Sequence, residues 1–170
     1  MSLSLPLFGI LERTPGVLRE MLAAATPEQL SWRPNPERWS IAMVTAHLAD
    51  VEEKGFLARF HAIAEQESPF LPSYDQWELF RGRTEFDARE ELERFAGLRR
   101  ATLEWLQGLP DEVRGRTGRH QELGVISFED LLHEFPFHDL GHLRQVMELY
   151  RARAFYPRMG AFRDYYRINP

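Results

Sequence analysis

SFEDLLHEFPFHDLGHLRQV, residues 127–146, decides the fold. Phe128, Leu131, Leu132, Phe135 and Val146, with Leu149 beyond, recur at the three- and four-residue steps of one helical face. Ser127 stands where a helix cap is expected, so a helix is predicted from Phe128 to about Tyr150. Pro136 removes one backbone donor inside it and predicts a bend just before two histidines. Those histidines, His138 and His142, interrupt the apolar pattern. At about 100° per residue, His142 falls within the stripe and His138 about 40° round on its flank. Side chains four apart have β-carbons about 6 Å apart, close enough for both imidazoles to reach one ion at about 2.0–2.1 Å per bond. Taken alone, the pair is weak evidence for a metal, because an inward histidine is more often a hydrogen-bonded core residue.

The rest of the chain repeats the helical period. Leu7, Ile10, Leu11, Val17, Leu18, Met21 and Leu22 outline a first helix, and Thr14-Pro15-Gly16 predicts a kink or a restart capped by Thr14. TPEQLSWRPNPERW, residues 26–39, is proline-rich and predicts a loop. Ser40 caps a second helix from Ile41 to about Gln66, with Ile41, Val44, Leu48, Val51 and Gly55 as its buried stripe. Residues 67–80 form a connection carrying Phe70, Tyr74, Trp77 and Phe80, candidates for a pocket mouth. Asp87 and Glu90 have capping-box spacing and open a third helix that ends near Gly108. Residues 110–126, glycine-punctuated and polar, predict a long loop, and the aromatic tail of residues 154–170 is expected to fold over one end of the body. The expected fold class is all-α: a single domain over residues 1–170, a four-helix bundle with long inter-helix loops and an aromatic C-terminal tail.

Composition narrows the function. The chain has 170 residues, 21 Lys plus Arg against 26 Asp plus Glu, and a net charge of −5, which argues against general nucleic-acid binding. With no cysteine, disulfides, thiolate metal sites and cysteine nucleophiles are excluded. No run reaches the roughly 18 apolar residues of a membrane span. The N-terminal stretch has no basic residue before Arg13, so no signal peptide is read and a cytoplasmic location is expected.

Of the six histidines, His47 lies beside the stripe of the second helix. It can meet His138 and His142 inside the bundle, giving three nitrogens from two helices. His61 follows His47 at about 21 Å along the helix axis, His133 points away from His138, and His120 lies in the expected loop; these three are read as structural or surface residues.

WSIAMVTAHLADVE (39–52), followed by SFEDLLHEFPFHDLGHLRQV (127–146), resembles the DinB superfamily of metal-binding four-helix bundles. The resemblance spans nearly the whole chain. It rests on Trp39 and Ser40 at a helix start, His47 seven residues after that serine, and the pair His138 and His142 followed by Gln145. It implies that His47, His138 and His142 are metal ligands. The chain departs from many members at Met43, where an acidic residue is common, and from some at Gly141, where a further histidine occurs.

Three neutral imidazoles leave an open position on the ion, the arrangement of a catalytic rather than a structural zinc site, and nitrogen donors suit Zn or Ni equally. The expected cofactor is therefore a divalent metal ion, Zn or Ni. The expected partner is a small-molecule substrate, including a low-molecular-weight thiol, since members of the resembled family transfer such thiols. Thiol transfer and hydrolysis are the reactions considered. A stress-associated metal-binding bundle without turnover is the alternative, and a homodimer is permitted. Glu134, in the row of His138, and Asp50, near His47, are candidate carboxylates to orient the rings; Asp139 is less favourably directed.

Overall fold

The structure, a computed structural model, describes residues 6–166 and residue 168. The expectation for the tail therefore lies outside the described residues at Arg167, Asn169 and Pro170. The fold is the expected helical bundle. Its long rods are α1 (Pro6–Ala23), the helix that begins as α3 (Ile41–Val51) and ends as α4 (Ala58–Glu65), α5 (Ala88–Gln107) and α6 (Phe128–Tyr150). Caps fall where side-chain chemistry places them. Ser40 accepts from the Met43 amide, Asp87 from those of Arg89 and Glu90, and Ser127 forms a reciprocal capping box with Asp130.

Several expectations need correcting. α1 is not broken at Thr14: it runs through Pro15, and the Thr14 hydroxyl donates back to the Ile10 carbonyl. Pro15 has no N–H for the Leu11 carbonyl four residues earlier. That acceptor is met instead by Arg99 of α5, at 3.0 Å, so the lost bond is replaced and the helix continues. Residues 26–39 are not all loop: Thr26 and Gln29 form a capping box that opens a short helix, α2 (Pro27–Ser31). Two loops also contain strands. β2 (Thr117–His120) and β3 (Gly124–Ser127) form a hairpin, and β2 pairs in parallel with β1 (Phe70–Leu71), giving the order β1-β2-β3. Gly118 is required there, because a β-carbon would lie 2.8 Å from the Leu71 side chain. Gly124 turns the hairpin at φ +77°. The His120 Nδ1 accepts from the Glu122 and Leu123 amides inside that turn.

Between α3 and α4 the rod is a π-turn, Glu52–Leu57, rather than plain α-helix. Beyond α6 the chain continues through a second π-turn, Arg151–Phe155, and two 3₁₀ turns. The tail does not bury its aromatics: Phe155, Phe162, Tyr165 and Tyr166 are all exposed. No described helix is long and apolar enough to cross a membrane.

The core has two apolar clusters. One gathers Leu18, Leu22, Trp39, Leu48 and Phe95, and the other Leu11, Phe56, Phe60, Phe128 and Phe135. Between them lies a buried polar layer centred on Arg99, whose guanidinium rests 4.8 Å from the Phe95 ring and 4.4 Å from the Phe135 ring.

Candidate metal centre

α3 and α6 bring three rings together. The Nε2 atoms of His47 and His138 are 3.3 Å apart, and those of His138 and His142 are 3.2 Å apart. One ring nitrogen from each of the three lies within 4.8 Å of the other two. Ligands at about 2.0–2.1 Å around a tetrahedral ion are separated by about 3.3–3.4 Å, so the two short spacings match what such an ion needs. The i, i+4 step on α6 supplies one edge of the triangle and the packing of α3 on α6 supplies the other. His61, by contrast, lies on the Trp105 ring and bonds Glu65, and His133 bonds Glu129; neither joins the cluster.

The rings are held neutral, as ligation requires. Burial lowers the His47 pKa to about 2, and the neighbouring His142 and His138 add to the shift. Burial lowers His138 to about 3, with help from His142 and Arg99. His142 is also lowered by burial, against the opposing effects of Gln145 and Asp139. The Gln145 carboxamide oxygen faces His142 Nδ1 at 2.9 Å. An acceptor there requires Nδ1–H, which leaves the Nε2 lone pair aimed at the cluster. The Nδ1 atoms of His47 and His138 are buried and have no hydrogen-bond partner among the described residues. Ring packing surrounds them instead. Trp39 lies 4.8 Å from His47 and parallel to His142, while the Phe56 edge meets His138 at 5.3 Å.

The donor set therefore fits a divalent cation: three uncharged, converging nitrogens and no thiolate. The two carboxylates expected to orient the rings have other positions. Asp50 accepts from the Tyr74 hydroxyl and from Lys54, each at 2.7 Å. Glu134 lies exposed on the wall of a cleft.

That cleft, about 810 Å³, opens over His138 and His142. Its walls include Arg38, Trp39, Trp77, Glu134, Gly141 and Gln145. A β-carbon at Gly141 would meet nothing within 4 Å, so this glycine keeps the space beside the histidines open. Of the aromatic connection, Trp77 reaches the cleft, Phe80 packs on Trp39, and Phe70 lies exposed on β1.

The most heavily bonded polar group was not evident from the sequence. Arg99 is buried and directs all five N–H groups to acceptors. Its Nε and Nη2 bond Glu52, Nη1 and Nη2 bond Asp139, and Nη1 also bonds the Leu11 carbonyl, at distances from 2.6 to 3.1 Å. Burial alone would lower the guanidinium pKa, but Asp139 and Glu52 raise it. For Glu52 burial dominates and raises the pKa against the pull of Arg99. Arg99 thus ties α1, the π-turn and α6 to α5, immediately beside His138.

A model of the DinB superfamily matches residues 10–146. Among solved structures, the chain is similar to YfiT from Bacillus subtilis, described as a probable metal-dependent hydrolase with an unusual four-helix bundle topology. The two share 24% identity and a TM-score of 0.78, over 86% of this chain and 85% of that one. No curated protein gives a significant match.

Proposed function

We propose that this chain, which belongs to the DinB superfamily, is a metal-dependent enzyme that uses a three-histidine centre to act on a small molecule, with hydrolysis as its reaction. The observation that carries this reading is the convergence of three neutral-ring Nε2 atoms, two contacts of 3.2 and 3.3 Å, beneath an open cleft. A purely structural site closes its coordination sphere with protein ligands; three protein donors beside open space is the catalytic pattern. When bound, a divalent cation, zinc or nickel, would supply a Lewis acid.

The chain's own residues divide the remaining work. His47, His138 and His142 would hold the ion, and Gln145 fixes the His142 tautomer. Trp39 and Trp77 form the apolar wall that limits water, and Glu134 stands on the cleft as the carboxylate that accepts and returns a proton. The hydrolase description of YfiT supports testing hydrolysis first. Transfer of a low-molecular-weight thiol is the second reaction. A cation held by three neutral ligands would supply uncompensated positive charge, which lowers the pKa of a nearby thiol.

The test compares chelator-treated protein with the same protein reloaded with zinc or nickel, against panels of small esters, amides and thiol-plus-electrophile pairs. Metal-dependent turnover of esters or amides is the expected result. No turnover by the loaded protein in any panel overturns the enzymatic reading and leaves a metal-binding bundle.

A further inference from the structure

In two of the three clustered rings, His47 and His138, the outward Nδ1 has no hydrogen-bond partner among the described residues, which raises the question of what sets their orientation. For His138 the neighbouring structure is unusual. In an uninterrupted α-helix, Phe56 follows His47 by nine residues and would lie about 180° round the axis, on the opposite face. Yet both rings touch His138, with centroids at 5.4 Å for His47 and 5.3 Å for Phe56. The π-turn Glu52–Leu57 is the reason. A turn closed to the fifth residue advances less per residue, so it swings Phe56 back towards α6. Glu52, still placed by the regular geometry of α3, reaches Arg99, and Phe56 reaches His138.

Phe56 is itself held. Its ring stacks on Phe135 at 4.4 Å and 29°, and Phe135 lies beneath the Arg99 guanidinium. Glu52, at the start of the same π-turn, takes two N–H groups of that guanidinium. Contacts thus run from Arg99 through Phe135 to Phe56 and end on the edge-to-face contact with His138. The His138 Nδ1 has no polar partner among the described residues, so on that side of the ring no hydrogen bond competes with this packing. Such edge-to-face pairs carry a geometric preference beyond their buried area.

We infer that Phe56 is a positioning residue for the metal centre: presented by the π-turn, it orients the His138 ring so that Nε2 faces the other two nitrogens. This rests on the reading that the three histidines hold a metal. It assigns to an aromatic ring the orienting role that metal-bound histidines usually give to a carboxylate or carbonyl.

Phe60 provides the control. It is fully buried in the same cluster, 5.7 Å from Phe135 and 6.5 Å from Phe56, and no ring contact joins it to His138 among the described residues. Phe56→Leu and Phe60→Leu remove similar volumes from the same core. Each variant is purified metal-free and titrated with Co²⁺ and Zn²⁺, with unfolding by urea measured in parallel. Both should lose comparable metal-free stability. Phe56→Leu alone should weaken metal affinity by about 10–100-fold, the usual effect of losing a group that orients a ligand, and should change the visible absorption of the Co²⁺ form. Equal affinities and identical Co²⁺ spectra in the two variants overturn the inference while leaving the metal centre intact. A wild-type protein that binds neither ion overturns the proposed function and this inference with it.

Discussion

Arg99 donates to the Leu11 carbonyl at 3.0 Å, and Leu11 is the residue whose helical acceptor Pro15 leaves unused. A proline in one helix and an arginine in another therefore solve a single hydrogen-bonding problem. The same guanidinium also neutralises Glu52 and Asp139.

Removing it should be costly. Arg99→Met leaves two buried carboxylates without a cation and should destabilise the protein by about 3–5 kcal/mol. The triple variant Arg99→Met, Glu52→Leu, Asp139→Leu removes all three charges and should recover most of that loss. It should stop short of wild type, because the Leu11 carbonyl loses its donor, at about 1–3 kcal/mol. Urea unfolding of the three proteins decides; a triple variant as unstable as the single one contradicts the account.

The tautomer of His142 gives a second prediction. Gln145→Ala removes the acceptor at Nδ1 and should weaken zinc binding by about 10–100-fold. Because Gln145 is only partly buried on the cleft wall, stability should change little. Isothermal titration with Zn²⁺ checks it, and unchanged affinity would remove Gln145 from the site.

Acid should destabilise the metal-free protein in a direction the rings dictate. Their folded pKa values lie below the unfolded value of about 6.5, at about 2 for His47 and about 3 for His138. Above pH 6.5 neither state protonates them and their contribution is constant. Below it the unfolded rings bind protons that the folded rings refuse, so stability falls until the pH nears the folded values. By pH 5 each ring should cost about 2 kcal/mol. The raised Glu52 pKa acts in the opposite sense, so the comparison is with His138→Gln, whose stability should fall less steeply between pH 7 and pH 5. Parallel slopes in urea midpoints would contradict the burial argument.

Glu134 tests the cleft chemistry separately from the metal. Glu134→Gln should leave metal content and stability unchanged, since the side chain is exposed, and lower kcat for a hydrolysed substrate by about 10²–10⁴-fold. Unchanged kcat would assign the proton transfer elsewhere.

The sequence made the long rods and the meeting of three rings legible, because both follow from local periodicity. Ser40, Asp87 and Ser127 mark helix starts by chemistry contained within four residues. The i, i+4 histidines need only the helix that carries them. What was hidden depends on distant partners. Arg99 sits in a charge-rich helix and reads as solvated; its burial requires Glu52, Asp139 and a carbonyl freed by Pro15. The π-turn has no sequence signature of its own, and its wide turn matters only because Phe56 finds a partner on α6. The strands are too short to show alternation. The Thr26–Gln29 capping box was readable but lay among prolines that suggested a loop.

Metal content is the most direct measurement of the central claim. Protein purified without a tag or added metal, then analysed for all divalent elements before and after equilibration with zinc or nickel, should carry one ion per chain. His142→Ala should abolish loading, and His61→Ala, whose ring lies on Trp105, should leave it unchanged. A wild-type chain that stays metal-free after equilibration, or equal loading in the two variants, contradicts a centre built on His47, His138 and His142.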